Sequence, residues 1–125
     1  MMKNILLKLI CVITCLGFKT SSSAQLVYIP DAKFKYYLNQ LFSSCMVGDS
    51  IDPSCPAVLN AQYLDLNNRQ ISNLSGIEVF VNDTLLICNN NQLTTLPQLP
   101  PLIKQLICPI MNLTSLPPLP HHYLS

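Results

Sequence analysis

Residues 93–100 read LTTLPQLP and residues 113–120 read LTSLPPLP, and Cys88 recurs as Cys108, so every offset in this part of the chain is twenty residues. A period near twenty is the mark of stacked coils, each burying its apolar side against its neighbours. Leu86, Cys88 and Leu93 align with Leu106, Cys108 and Leu113. One step earlier Leu64, Leu66 and Ile71 fit the same frame, with 22 residues from Leu66 to Cys88. Each unit reads L-x-[LC]-x-x-x-x-[LI]. Apolar residues two apart describe a short strand with one side facing in, so successive units place parallel strands side by side. Seven of the ten prolines fall from Pro97 onward, and proline denies a helix both an amide donor and room for the preceding turn. The return segments are therefore expected to be extended, with polyproline-like stretches. In the first unit Ile71, Leu74, Ile77 and Phe80 are spaced by three, which predicts a short 3₁₀ return.

The 125-residue length allows one domain. Lys3 and Lys8 precede an apolar run from Leu9 to Phe18, too short to span a bilayer. Ser22 and Ala24 then place small residues before a cut at Gln25. This is the layout of a secretory signal peptide over 1–24, and no membrane span is expected after it. From Gln25 on, four cations (Lys33, Lys35, Arg69, Lys104) face six acids (Asp31, Asp49, Asp52, Asp65, Glu78, Asp83), a balance of −2. Without a basic patch, nucleic acid and anionic membrane are excluded as expected partners. Charged residues make up only 10% of the chain, so recognition must rest on contact chemistry more than on long-range steering.

The repeat unit resembles the leucine-rich repeat pattern L-x-x-L-x-[LC]-x-x-N-x-L, most closely in LICNNNQLTTLP. The cysteine at the sixth position is similar to that of secreted bacterial leucine-rich repeat proteins, and the LPxLP returns to the repeats of secreted bacterial effectors. The segment VYIPDAKFKYYLNQLF resembles the N-terminal capping helix of the first group. The resemblance covers roughly Val27 to Pro120. It implies an α/β solenoid: a short leucine-rich repeat arc with parallel strands, mostly extended or 3₁₀ returns, and an N-terminal capping helix. The expected organisation is a signal peptide over 1–24, a cap over 25–60 and about three repeats over 61–125, without a C-terminal cap. In the cap, Asp31 is placed to N-cap a helix with Phe34, Leu38, Leu41 and Phe42 on one face, covering the first strand edge. The turn asparagine implied by the resemblance is Asn91. Arg69 and Met111 occupy its place in the flanking units. The family's calcium-like loop is not carried over, because GDSIDPSC lacks the alternating oxygen ligands; it is expected to be a plain loop. The chain reaches Ser125 where a further strand would begin. Either it is a fragment of a longer protein or self-association closes the open edge.

The resemblance also implies that the outward strand residues line a concave contact face: Tyr63 and Asp65, Leu85 and Ile87, Gln105 and Ile107, continued by Asn67, Asn68, Asn89 and Asn90. Its centre is apolar and its rim polar, as in contact patches; the same side chains serve equally well to pack on one another. Cys45 and Cys55 are expected to form a disulfide pinning the cap, and Cys88 and Cys108 to remain buried thiols. No metal or cofactor is expected, since the cysteines offer no close ligand pair for zinc and His121 and His122 read as a solvated tail. Asn73, Asn82 and Asn112 head N-x-[ST] triplets that chance explains. No catalytic constellation emerges, so no enzyme is expected. The expected role is a secreted, extracellular interaction module that binds a protein, peptide or glycan. The alternative is a targeting or spacer arm of a larger secreted enzyme or effector.

Overall fold

The computed structural model describes residues 24–109, 114–115 and 117–118. The expected signal peptide apart from Ala24, and Met111, Asn112, Leu113, His121 and His122, lie outside the described residues. The chain begins with β1 (Val27–Tyr28), helix α1 (Ala32–Leu41) and a 3₁₀ turn (Ser43–Cys45). Strands β2 (Met46–Val47) and β3 (Ser50–Ile51) and the short helix α2 (Pro56–Leu59) follow. The remainder contributes β4 (Tyr63–Asp65), a 3₁₀ turn (Ile77–Val79), β5 (Leu85–Ile87) and β6 (Gln105–Ile107).

The expected solenoid arc does not form. Two separate three-stranded sheets, antiparallel β1–β3–β2 and parallel β4–β5–β6, join two α-helices in a small mixed α/β domain. The N-terminal part is more than a capping helix, because it builds a sheet of its own. GDSIDPSC is not a plain loop either. Ser50 and Ile51 form the central strand of that sheet, paired with Tyr28 and Val27 on one side and with Val47 and Met46 on the other. Asp49, in the turn before it, meets Lys35 at 2.7 Å.

Within the parallel sheet the repeat frame holds. Leu64 pairs with Leu86 and Leu86 with Leu106, flanked by the rows Tyr63–Leu85–Gln105 and Asp65–Ile87–Ile107. The twenty-residue step recurs beyond the strands, where Thr95 bridges Ser115 in parallel. As the triad spacing predicts, the first return contains a 3₁₀ turn, and Ile71, Leu74, Ile77 and Phe80 are all fully buried.

Asp31 starts α1 as expected. Its Oδ1 accepts from the Lys33 and Phe34 amides at 2.8 and 2.9 Å, two of the donors a helix start leaves unpaired. Phe34, Leu38 and Phe42 are buried as expected, but Leu41 is 50% exposed and Tyr37 takes the inward place. One continuous core links the halves, running from Ile29, Phe34 and Ile51 to Leu64, Phe80, Leu86 and Ile103. At the seam the rings of Phe42 and Phe80 lie 5.1 Å apart, within the range of favourable aromatic pairs. The other Asp31 oxygen, Oδ2, accepts from the Ser72 amide and hydroxyl and from the Asn73 amide at 2.8–3.0 Å. One carboxylate therefore caps a helix and ties it to the first return segment.

Candidate functional site: the open face of the parallel sheet

Strand alternation puts Leu64 and Leu86 into the core and leaves the six flanking side chains on the opposite face. Tyr63 is 52% exposed, Ile107 is 36% exposed, Gln105 is exposed, and Asp65, Leu85 and Ile87 are half-buried. The structure thus brings all six sequence-predicted face residues into two adjacent rows. The patch has Leu85, Ile87 and Ile107 at its centre, with Tyr63, Asp65 and Gln105 around them. It spans three strands of three residues each, so it is a compact patch on one sheet and not the expected concave arc.

The turns beside the patch are set by asparagines. Asn68 and Asn90 sit one repeat apart with φ of 60° and 53°, a left-handed conformation that asparagine tolerates better than most residues. Asn91 does more than the resemblance implied. Its Nδ2 donates to the carbonyls of Leu66, Cys88 and Asn89, and its Oδ1 accepts from the amides of Arg69 and Ile71. It therefore closes its own turn and the preceding one. Arg69 needs no asparagine side chain because Asn91 satisfies its backbone from the next unit. The Arg69 side chain is thereby free to lie over the Tyr37 ring, with its guanidinium carbon 4.2 Å from the centroid.

Sequence reasoning missed a groove beside the patch. An open groove of about 400 Å³ lies between the end of α1 (Tyr37, Leu41, Phe42), α2 and the residues after it (Ala57, Asn60, Ala61) and β4 (Tyr63, Leu64, Asp65). Within it the Tyr63 hydroxyl donates to Asp65 Oδ2 at 3.2 Å, while Asp65 Oδ1 accepts from the Asn67 amide at 2.9 Å. Desolvation, the neighbouring Asp65 charge and the hydrogen bond to it push the Tyr63 phenol above its ordinary value. The sequence signal for this groove is Tyr37, three residues after Phe34 and buried with it, which the face of Phe34, Leu38, Leu41 and Phe42 does not include.

Both cysteine pairs are disulfides. Cys45–Cys55 closes the expected loop. Cys88–Cys108 corrects the expectation of two free thiols. Parallel neighbours at a Cα separation of 4.8 Å lie inside the range that a disulfide spans, although both side chains leave the same sheet face. Two disulfides fit an oxidising, extracellular setting. Among the described residues no helix is long and apolar enough to cross a membrane. Also among the described residues, no group of three His, Cys, Asp or Glu side chains is placed to hold a metal ion. No family model, curated protein or solved structure matches the chain.

Proposed function

We propose that the protein is a secreted interaction module whose contact surface is the open face of β4–β5–β6, and that its ligand is a protein, peptide or glycan. The observation that carries this reading is the in-register exposure of Tyr63, Leu85, Ile87 and Ile107 as one apolar patch with Asp65 and Gln105 beside them. Isolated exposed apolar side chains are ordinary on protein surfaces; a contiguous group on a rigid sheet is what partners bury. The resemblance of the strand motif to secreted leucine-rich repeat proteins supports the same role, and the disulfides support export. The sheet is pinned from below by the leucine column and at its end by Cys88–Cys108, so the face is presented with little ordering cost on binding.

Substitution of Ile87 and Ile107 by aspartate is expected to weaken binding to the physiological partner at least tenfold while the thermal midpoint stays within a few degrees. The milder Ile87→Thr and Ile107→Ser changes separate lost contact from lost folding. Undiminished partner binding by folded variants places the contact surface elsewhere.

A further inference from the structure

We propose that the groove between α1 and β4 receives a cationic side chain, lysine or arginine, carried next to an apolar residue on a partner peptide or protein segment. This deepens the reading of the strand face as the contact surface and rests on it, since Tyr63 and Asp65 belong to both.

The groove is apolar over most of its wall, through Leu41, Phe42, Ala57 and Leu64, and its polar groups include the Asn60 amide and one carboxylate, Asp65. That carboxylate accepts two hydrogen bonds, from the Tyr63 hydroxyl and the Asn67 amide. An ionised carboxylate has about four acceptor positions, so Asp65 retains capacity for a donor entering the groove. Among the described residues the ion pair is Lys35–Asp49, and no described cation pairs directly with Asp65.

Two tyrosine rings flank the same space. Tyr37 already holds the Arg69 guanidinium against its ring, so that ring face is taken and the ring open to an incoming cation is Tyr63. Tyr63, half-exposed and bonded to Asp65, offers a second ring directly beside the carboxylate.

The volume of about 400 Å³ lies at the small end of ligand sites. It suits one long side chain with an apolar neighbour. A neutral sugar could also stack on Tyr63 and donate a hydroxyl to Asp65, but it brings no charge to match the carboxylate. Charge complementarity therefore favours the basic peptide over the glycan.

The test uses the purified protein and two blocked dipeptides, acetyl-leucyl-lysine amide and its uncharged norleucine analogue. Binding is followed through the ring resonances of Tyr37 and Tyr63. The lysine probe is expected to bind at least tenfold more tightly than the norleucine probe, with the preference shrinking as salt rises. Asp65→Asn is expected to abolish the preference, whereas Ile87→Thr, outside the groove, preserves it. Equal affinity for the two probes, or an unchanged preference in Asp65→Asn, overturns the proposal, as does binding of a neutral oligosaccharide with no response to the lysine probe. If Asp65→Asn does not fold, the comparison of the two probes on the unaltered protein and its salt dependence still decide. A partner that depends on Ile87 and Ile107 but not on Asp65 leaves the sheet-face reading standing and removes this inference alone.

Discussion

At the scale of single residues, two buried carboxyls give the stability opposite dependences on pH. Burial pushes the Asp31 carboxyl up, but the amides of Phe34, Ser72 and Asn73 and the Ser72 hydroxyl outweigh it and hold the group below its ordinary value. A lowered folded-state value stabilises the fold above the unfolded carboxylate range, and this contribution disappears as pH falls through the folded value. Asp83 behaves in the reverse sense. It is fully buried, its Oδ1 takes the Leu85 amide at 3.3 Å, and its Oδ2 has no partner. Burial dominates over the hydrogen bonds from the Leu85 and Thr84 amides and pushes this carboxyl up to about 6. The folded state then holds a proton that the unfolded chain releases, so stability declines as pH rises from about 4 through 6. The cost at neutral pH is at most about 3 kcal/mol, from roughly 1.4 kcal/mol per pH unit. Asp83→Asn keeps an acceptor for Leu85 and is expected to gain on the order of 1 kcal/mol at pH 7 and nothing at pH 4. Urea midpoints at the two pH values check this, and an equal change at both refutes the assignment. Asp31→Ala is expected to cost about 3 kcal/mol at pH 7, combining the lost helix cap with orphaned Ser72 and Asn73 donors. The same pair of urea midpoints measures it.

At the scale of elements, what the sequence made legible tracks the length of its patterns. The column Leu64–Leu86–Leu106 was readable because three strands repeat one motif, and the 3₁₀ return because four apolar residues keep one spacing over ten positions. The antiparallel sheet was not readable: its strands have two residues each, too short to show alternation, and their pairing depends on the turn around Gly48 and on β1, whose Val27 and Tyr28 pair with Ile51 and Ser50, 24 and 22 residues further on. The cysteine pair of the parallel sheet is not legible as a disulfide because the parallel direction of the two side chains argues against a bond that their 4.8 Å Cα separation allows. The groove went unseen because Tyr37 faces inward where Leu41 was expected to. Gly76, before the 3₁₀ turn of the first return, lies beside Val27, Tyr28 and Ile29 of the N-terminal unit; its φ is 101°, and a Cβ there would run into Ile29 Cδ1, which is fully buried. Gly76→Ala is therefore expected to destabilise by about 2 kcal/mol, from a backbone conformation that disfavours L side chains plus overpacking. A denaturation midpoint that does not move would show that the junction adjusts freely. Each disulfide closes a loop of 10 or 20 residues, for which chain entropy gives about 3 kcal/mol. Replacing Cys45 and Cys55 together by alanine is expected to lower the stability by about that amount, read from urea unfolding under non-reducing conditions.

At the scale of the whole molecule, the repeated part cannot be regarded as a free-standing unit with a cap added. A stacked array ordinarily buries a continuous core between successive coils and needs at least three of them. Here the first coil is covered instead by the N-terminal unit: Phe42 lies against Phe80, Ile29 reaches Gly76, Arg69 covers Tyr37, and Asp31 Oδ2 satisfies Ser72 and Asn73. Removing residues 1–60 would expose the flank of Leu64, Leu74, Ile77 and Phe80 and strand the amides that Asp31 accepts. Those four side chains are fully or almost fully buried; re-exposing even half of their surface costs several kcal/mol at 1.5–3 kcal/mol for each full side chain. That is comparable to the entire stability of a domain of this size. A fragment beginning at Ala61 is therefore expected to lack cooperative unfolding, while the intact chain unfolds in one transition seen identically by tyrosine fluorescence and far-ultraviolet circular dichroism. A sharp transition in the fragment, at a midpoint near that of the intact protein, would show that the parallel sheet carries its own core. In that case the N-terminal unit would serve the groove beside β4 and not the fold.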